Sequence, residues 1–315
     1  MLILLLLAVL LLAYSNGAND NFKGVATLWS SNILSYRQAL LMATVATFVG
    51  SIGAYFVANG LLLNFSGKGL VPVPTTQSIP FITAIAIGAS CTVLLATVLG
   101  FPISTTHAIV GSLVGAGTMA VGSAVAWGKL VNTFLAPLII SPILATILGM
   151  SLYYFLKKNK RLTPTINNSL HVVSAASVCF SHGLNDIPKI VSLLLLINFL
   201  QLHYGFIIVA VVVAIGGLLN SRKVARTMSL KLATLTPTQG LAANIITSSL
   251  SLLATKYGLP VSFTHISIGA IFGAGVLDNT AHRAELFKIL MSWVLTLPLA
   301  FAISAIAYYV ISIST

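Results

Sequence analysis

The chain has 315 residues, of which 57% are hydrophobic and 6% are charged. Soluble globular proteins carry about 25% charged residues, so this composition excludes a water-facing surface and indicates a chain that lies within a lipid bilayer. The formal net charge of +12 could suggest nucleic-acid binding. The basic residues fall mostly in short breaks between apolar runs, however, which is typical of the loops of a membrane protein.

Apolar segments long enough to cross a bilayer follow one another along the chain. A crossing needs roughly 20 apolar residues, and clear examples are Leu40 to Leu63, Leu130 to Leu156 and Ile289 to Ser312. Two other apolar segments, Met1 to Ser31 and His171 to Phe199, are each about 30 residues long, which is more than a crossing requires. Because each contains a Gly-x-Asn-Asp motif, we expect helices broken near the middle of the membrane.

The polar motif of the first long segment recurs in the second. Residues 15–23 read Ser-Asn-Gly-Ala-Asn-Asp-Asn-Phe-Lys, and residues 181–189 read Ser-His-Gly-Leu-Asn-Asp-Ile-Pro-Lys. A second pair follows in the same order: residues 100–107 read Gly-Phe-Pro-Ile-Ser-Thr-Thr-His, and residues 258–265 read Gly-Leu-Pro-Val-Ser-Phe-Thr-His. Two motif pairs in the same order predict a duplicated unit.

The duplication divides the chain into a first repeat, residues 1–160, and a second, residues 161–315. Basic residues concentrate in loops 157–168 and 221–234, so the positive-inside rule places both loops in the cytoplasm. The equivalent of the second loop in the first half, Asn64 to Gln77, carries a single lysine and is expected outside. Equivalent loops on opposite sides imply that the repeats are inverted relative to each other. Both chain termini are expected outside.

The Gly-Pro motifs are predicted to form the tips of re-entrant hairpins. Between the outside loop and the cytoplasmic loop the chain must cross an odd number of times, and Leu130 to Leu156 is one crossing. The stretch from Phe81 to Gly117 should therefore enter and leave on one side, with its tip at residues 100–107 and an equivalent tip at 258–265. Non-helical backbone at this depth is tolerated where it is buried or lines a water-filled cavity. Both tips are thus expected along the substrate path.

The predicted fold class is therefore an all-α polytopic membrane protein. It comprises two inverted-topology repeats, each with a broken transmembrane helix and a re-entrant helical hairpin. The first helix is expected to break near residues 15–23 and its counterpart near residues 181–189.

The whole chain contains four acidic residues: Asp20, Asp186, Asp278 and Glu285. Asp20 and Asp186 occupy equivalent positions of the repeated motif within apolar segments, where a carboxylate is costly and indicates function. Carboxylate and amide oxygens are hard ligands that favour alkali or alkaline-earth ions over soft metals. We therefore expect sodium at these positions. The alternative is that each Asp only pairs with the lysine three residues later on the same helical face, and pairing and ion binding are compatible.

The hairpin tips carry hydroxyl groups. Ser104, Thr105 and Thr106 lie in the first tip, and Ser262 and Thr264 lie in the second. Glycine and proline beside them permit a turn whose backbone N–H groups point at an anion from a helix N-terminus, so the tips suit a tetrahedral oxyanion. Ordinary helix packing is the alternative role of such residues in membranes. The histidine that ends each motif has no cluster of further ligands at zinc spacing, so zinc is not predicted.

At these segments the sequence resembles the PiT family of inorganic phosphate transporters, whose signature is a duplicated Gly-Ala-Asn-Asp motif. The copies read Gly17-Ala18-Asn19-Asp20 and Gly183-Leu184-Asn185-Asp186. The resemblance also covers residues 102–107, 231–237 and 292–298, and so extends over nearly the whole chain. It implies symport of phosphate with sodium, or with protons in some relatives, by a multi-pass protein of the cell membrane that forms a homodimer.

Transferred onto this sequence, the resemblance implies one site for phosphate and sodium. The expected phosphate ligands are Ser104, Thr105, Thr106, Ser262, Thr264, Asp20, Asp186, Asn19 and Asn185. The expected sodium ligands are Asp20, Asp186, Asn19, Asn185, Ser15 and Ser181. Lys23 and Lys189 are candidate charge partners, and many members of the family have Asn at these two positions. A fixed ammonium would replace a bound cation or attract phosphate directly, which leaves the number of bound cations open.

The sequence thus predicts a secondary transporter rather than an enzyme, which moves phosphate together with sodium across the bilayer by alternating access. No organic cofactor and no nucleic-acid partner are expected. The alternatives are a proton-coupled phosphate permease, a sulfate permease and a channel, because a second tetrahedral oxyanion fits similar hydroxyls and paired hairpins also occur in channels. A remoter alternative is an intramembrane hydrolase that uses Asp20 and Asp186 as paired carboxylates.

Overall fold

The computed structural model of the chain describes residues 1–158, 163–197 and 200–314. These residues form α-helices with short 3₁₀ and π segments, and no β-strand occurs among them. The helices are α1 (Leu2–Asp20), α2 (Ala26–Ser30), α3 (Tyr36–Val57), α4 (Asn59–Phe65), α5 (Val73–Thr76), α6 (Ile79–Leu99), α7 (Thr105–Val121), α8 (Trp127–Lys129), α9 (Ala136–Lys158), α10 (Pro164–Val191), α11 (Leu202–Asn220), α12 (Arg222–Arg226), α13 (Pro237–Lys256), α14 (Phe263–Val276) and α15 (Arg283–Ser314).

Several of these helices are suited to cross a bilayer. Within the described residues, seven segments are long and apolar enough: Leu2–Ser30, Tyr36–Val57, Ile79–Leu99, Thr105–Ala124, Trp127–Lys158, Leu202–Asn220 and Arg283–Ser314. Large apolar side chains such as Phe56, Phe155 and Leu295 are exposed on their outer faces. Apolar side chains on these faces are suited to contact lipid tails. The helical backbone is suited as well, because its polar groups are hydrogen-bonded within the helix. The prediction of an all-α, multi-pass membrane protein is confirmed.

The helices pack in matched pairs that join the two halves of the chain. The first long helix, α1, packs against α11, and α10 packs in the same way against α3. The second helix of each hairpin does likewise, because α7 packs against α15 and α14 packs against α9. Each half therefore contributes to the core of the other, as expected of a duplicated unit. The predicted boundary between residues 160 and 161 lies outside the described residues and stays a prediction.

Glycines permit the close approach of these helices. Gly115 of α7 faces the backbone of α15, and Gly273 of α14 faces the backbone of α9. A Cβ atom added at Gly273 would lie 2.1 Å from Thr146 O, and one at Gly115 would lie 2.2 Å from Phe301 O. Small residues let transmembrane helices approach this closely. Any side chain here would force the helices apart.

The two motif-bearing segments depart from regular helix at different places. In the first, α1 ends at Asp20 and a 3₁₀ segment, Lys23–Val25, leads into α2. The break thus lies at the end of the predicted range 15–23. In the second, α10 stays regular to Val191, and a 3₁₀ turn follows at Ser192–Leu194. The structure corrects the predicted break near residues 181–189, which lies after Val191 instead.

Local contacts explain why α10 continues past Pro188. Pro188 removes one backbone hydrogen bond from α10. The side chain of Lys189, however, contacts Asn185 and Asp186 one turn earlier on the same face. These contacts link successive turns across the proline, so the helix continues to Val191.

Each Gly-Pro motif forms a non-helical turn between two helices. In the first, Gly100 has a φ of 83° and the chain is not helical again until α7; in the second, Gly258 has a φ of 65° and α14 follows. Glycine adopts this left-handed conformation without steric cost. The first motif thus joins α6 to α7, and the second joins α13 to α14. The entry and exit of each unit on one side of the membrane stays a prediction.

We expect Gly273→Ala to lower the stability of the protein, because its Cβ atom would overlap Thr146 O. Overpacking of this kind typically costs about 1–3 kcal/mol. The measurement is the midpoint of thermal unfolding in detergent. The matched control is Gly128→Ala, because a Cβ atom there meets nothing within 4 Å. Equal midpoints for the two variants would contradict the proposed role of the close crossing.

Candidate functional site

The two repeated motifs meet in a buried polar cluster. Asn16 Nδ2 lies 2.7 Å from Asp20 Oδ2 and 3.4 Å from Asp186 Oδ2, so one amide lies between the carboxylates of the two halves. Asp20 is 0% exposed and Asp186 is 2% exposed. His182 Nε2 lies 3.5 Å from Asp186 Oδ2. The two acids that the sequence singled out are therefore neighbours in space.

Lys23 lies inside this cluster, and four oxygen atoms surround its ammonium group. Lys23 Nζ donates to Asn19 Oδ1 at 2.8 Å, to Ile103 O at 2.8 Å and to Thr264 Oγ1 at 2.7 Å, and it forms an ion pair with Asp20 Oδ1. The partners come from the first motif, the first tip and the second tip. Lys23 is 1% exposed, so these oxygens replace the water that the ammonium has lost.

Lys189 has equivalent surroundings. Its Nζ lies 2.6 Å from Asn185 Oδ1, 2.7 Å from Asp186 Oδ1, 2.9 Å from Val261 O and 2.8 Å from Thr106 Oγ1. As around the first lysine, the set consists of an amide, a carboxylate, a carbonyl of the tip in the same half, and a threonine hydroxyl from the tip of the other half. The predicted pairing of each Asp with the lysine three residues later is present in both halves.

Further amide contacts fix the direction of the two asparagines. Asn19 Nδ2 donates to Thr97 Oγ1 at 2.9 Å and to Phe101 O at 3.0 Å. Asn185 Nδ2 donates to Thr255 Oγ1 at 3.0 Å. Each Oδ1 atom is thereby turned toward its lysine. Thr97 and Thr255 are not among the residues predicted from the sequence, although they are separated by the same number of residues as the two tip motifs.

The predicted hydroxyl ligands divide into two groups. The threonines reach the cluster: Thr106 and Thr264 contact the lysines as described, and Thr105 Oγ1 donates to Asp20 Oδ2 at 2.8 Å. The serines cap helices instead. Ser104 Oγ accepts from the backbone N–H of His107, and Ser262 Oγ accepts from that of His265, each at 3.1 Å. Both are the N-cap residues of the helices after the tips.

The hydroxyls of two predicted sodium ligands point elsewhere. Ser15 Oγ donates to Leu11 O at 2.7 Å, and Ser181 Oγ donates to Val178 O at 2.8 Å. These contacts lie within their own helices, so the structure does not bring the two hydroxyls to the carboxylates. Their role as sodium ligands stays a prediction.

The remaining two acids lie away from the cluster. Asp278 accepts hydrogen bonds from Tyr153 and from Lys157, whose Nζ lies 2.5 Å from Oδ1. The hydrogen bond from Lys157 holds the pKa of Asp278 below its usual value. Glu285 Oε2 lies 3.1 Å from the exposed ammonium of Lys288. Both pairs are ordinary contacts at the ends of helices.

The cluster is suited to bind ions of both signs. It holds two carboxylates and two ammonium groups, together with oxygens of the hard type that alkali cations prefer. The N-termini of α7 and α14 begin at its threonines, and helix N-termini favour anions. The residues that contact the two lysines and the two carboxylates are buried, so in this conformation the site is closed.

Comparison with known proteins decides the family. Residues 16–166 and 157–304 match the phosphate transporter family PHO4. This chain belongs to that family. It is therefore a phosphate transporter, a multi-pass membrane protein and not an enzyme, which rules out the hydrolase alternative.

Curated relatives agree with this assignment. A probable low-affinity inorganic phosphate transporter of Rhizobium meliloti (strain 1021) is 30% identical over 98% of this chain and 96% of its own. A protein of the same description from Bacillus subtilis (strain 168) is 29% identical over 98% of this chain and 97% of its own. A solved structure described as "The sodium-dependent phosphate transporter" has the same fold, with a TM-score of 0.87, 23% identity and 99% of each chain covered.

We expect Thr264→Val to destabilise the protein, because Lys23 then loses the one oxygen that the other half of the chain supplies. A hydrogen bond to a charged group contributes about 1.5–3 kcal/mol. The free energy of unfolding in a series of SDS mole fractions measures the effect. Thr118→Val is the control, because that hydroxyl only donates to Val114 O in its own helix. A similar loss in both variants would show that the contact between halves contributes nothing.

Proposed function

We propose that this phosphate transporter is a sodium-coupled symporter that works by alternating access. The observation that carries the proposal is the approach of Asp20 Oδ2 and Asp186 Oδ2 to one amide, with the hydroxyl of Thr105 on the same oxygen of Asp20. Two carboxylate oxygens and a hydroxyl are hard ligands for an alkali cation. The description of the similar solved structure as sodium-dependent supports this choice of ion.

The amide between the carboxylates gives further support. Asn16 Oδ1 is buried and has no hydrogen-bond partner among the described residues. Its nitrogen faces the two carboxylates. Rotation of the amide by half a turn would direct the oxygen there instead. Asn16 thus suits both states of the position, with and without sodium.

Coupling follows from electrostatics in this proposal. Lys23 and Lys189 contact the Oδ1 atoms, but the Oδ2 atoms of Asp20 and Asp186 face one shared position and repel an anion there. Two unit charges 4 Å apart interact by about 4 kcal/mol at an effective dielectric constant of 20. Sodium beside Asp20 and Asp186 offsets part of this repulsion. Phosphate then binds near the threonines of the tips, where the N-termini of α7 and α14 favour an anion.

Alternating access requires the closed cluster to open to each side in turn. The matched packing of the two halves supports such a movement, because each hairpin packs against a long helix of its own half and a long helix of the other half: α6–α7 against α1 and α15, and α13–α14 against α10 and α9. We propose further that the hairpins re-enter the membrane. Both termini would then lie outside, with loops 157–168 and 221–234 in the cytoplasm. A homodimer, implied by the family resemblance, completes the proposal.

Proton coupling is the second candidate. It is favoured by the position of His182, whose buried Nε2 lies 3.5 Å from Asp186 Oδ2. The equivalent residue in the first motif is Asn16, which carries no titratable group.

Uptake of radiolabelled phosphate into proteoliposomes separates the two ions. We expect accumulation under an inward sodium gradient at equal pH on both sides, because sodium offsets the carboxylate charge. A proton gradient without sodium is expected to give no accumulation. The reverse result would replace sodium by the proton as coupling ion.

Excess unlabelled sulfate is expected to leave uptake unchanged, which tests the choice of oxyanion.

We expect Asp20→Asn and Asp186→Asn each to reduce sodium-driven phosphate uptake more than tenfold, because each removes a negative charge that the cation requires. Initial rates in the same proteoliposomes measure the effect, at equal amounts of folded protein. Glu285→Gln is the control, since it removes one of the other two acids, which lies away from the cluster and pairs with the exposed Lys288. Normal uptake by both Asp variants would contradict the placement of the site.

A further inference from the structure

We propose that the ammonium groups of Lys23 and Lys189 are built-in cations, which occupy two positions that mobile coupling ions would otherwise fill. The chain then binds at most one sodium ion for each phosphate. This inference rests on the proposed function and specifies its stoichiometry.

The number of oxygens around each lysine supports the proposal. An ammonium group has three N–H donors, yet four oxygens surround Lys189 Nζ at 2.6 to 2.9 Å. Lys23 has the corresponding four. A simple ion pair requires one carboxylate. A carboxylate, an amide, a carbonyl and a hydroxyl around one point are the ligands expected of a cation-binding position.

The origin of these oxygens is a second argument. Each lysine contacts its own motif, the tip of its own half and a threonine from the other half. Thr264 provides the last contact for Lys23, and Thr106 provides it for Lys189. The ammonium groups therefore connect the parts that must separate when the site opens. A coupling ion would occupy the same place in an alternating-access mechanism, because it must stabilise the closed state.

The two oxygens of each carboxylate have different partners. Oδ1 of Asp20 and Oδ1 of Asp186 face the lysines, whereas their Oδ2 atoms face Asn16. The lysines thus leave one shared position, between the Oδ2 atoms, for a mobile cation. This division is the reason for an upper limit of one sodium ion.

The charges lead to the same conclusion. Two carboxylates and two ammonium groups sum to zero before any mobile ion arrives. Removal of one ammonium would leave a buried carboxylate unpaired, which is strongly unfavourable. A variant without the ammonium should therefore recruit a cation from solution, with the remaining oxygens as its ligands.

The experiment is to measure sodium and phosphate fluxes together in proteoliposomes, with radioactive sodium and radioactive phosphate at a clamped membrane potential. The variants are Lys23→Asn, Lys189→Asn and the double variant. We expect a ratio of at most one sodium ion per phosphate in the wild type, an increase of one in each single variant and of two in the double variant. Lys256→Asn is the control, because it removes one exposed lysine at the end of α13 and should leave the ratio unchanged.

Two results would overturn the inference: two or more sodium ions per phosphate in the wild type, or an unchanged ratio in the lysine variants. A different result would contradict the proposal that sodium is the coupling ion, namely phosphate uptake by the wild type without sodium.

The inference about the lysines would still hold in that case if the Asn variants acquired sodium-dependent uptake.

A stability measurement covers variants with low activity. In choline chloride we expect Lys23→Asn and Lys189→Asn to unfold at lower temperature than Lys256→Asn, and in sodium chloride we expect this difference to shrink. The wild type should gain less from sodium than either variant, because it has one sodium position to fill and each variant has two. Lysine variants that sodium does not stabilise, including variants that fail to fold in sodium, would contradict the inference, because sodium should refill the vacated positions.

Discussion

The burial of two ammonium groups beside two carboxylates determines what the rest of the structure must provide. Removal of an ion from water costs several kcal/mol even after the protein relaxes, and an ion pair offsets this only when further hydrogen bonds satisfy the remaining donors. One helix cannot supply four oxygens around one point, because its carbonyls are used within the helix. The non-helical tips supply Ile103 O and Val261 O, and the other half of the chain supplies the hydroxyls.

This requirement explains the close packing of the halves. For Thr264 to reach Lys23, α14 must lie against the first motif, and the equivalent contact draws α7 toward α10. Gly17 and Gly183 each lie three residues before the Asp of their motif, and a Cβ atom at Gly183 would lie 2.3 Å from Thr47 O. The glycine of each motif therefore allows the neighbouring helix to approach. The motif combines a buried carboxylate with a packing residue in one short segment.

Much of the site could be predicted from the sequence because it is repeated. Asp20 and Asp186 were identified by their equivalent positions in apolar segments, and the non-helical turns by their glycine and proline. The roles of Ser104 and Ser262 were not predicted. A hydroxyl at a helix start can bind a ligand or cap the helix, and only the coordinates distinguish the two.

Contacts across long separations were also beyond the sequence. Nothing local connects Thr264 with Lys23, because they lie in different halves and meet only after both hairpins have packed. The break after α10 was misplaced for a different reason. The prediction rests on the length of the segment and on its Gly-Leu-Asn-Asp motif, and neither fixes where a helix ends. The contacts of Lys189 with Asn185 and Asp186 link successive turns, and the chain stays helical to Val191.

The places where the halves differ matter for the mechanism. Two identical inverted halves would give inward-open and outward-open states of equal energy, since exchange of their conformations converts one state into the other. The lysine sites keep this equivalence. The halves are not equivalent at two other places. Asn16 of the first motif corresponds to His182 of the second, and α1 ends at Asp20 whereas α10 continues to Val191. In the proposed mechanism these differences, rather than the ion-binding oxygens, must determine which side the empty transporter faces.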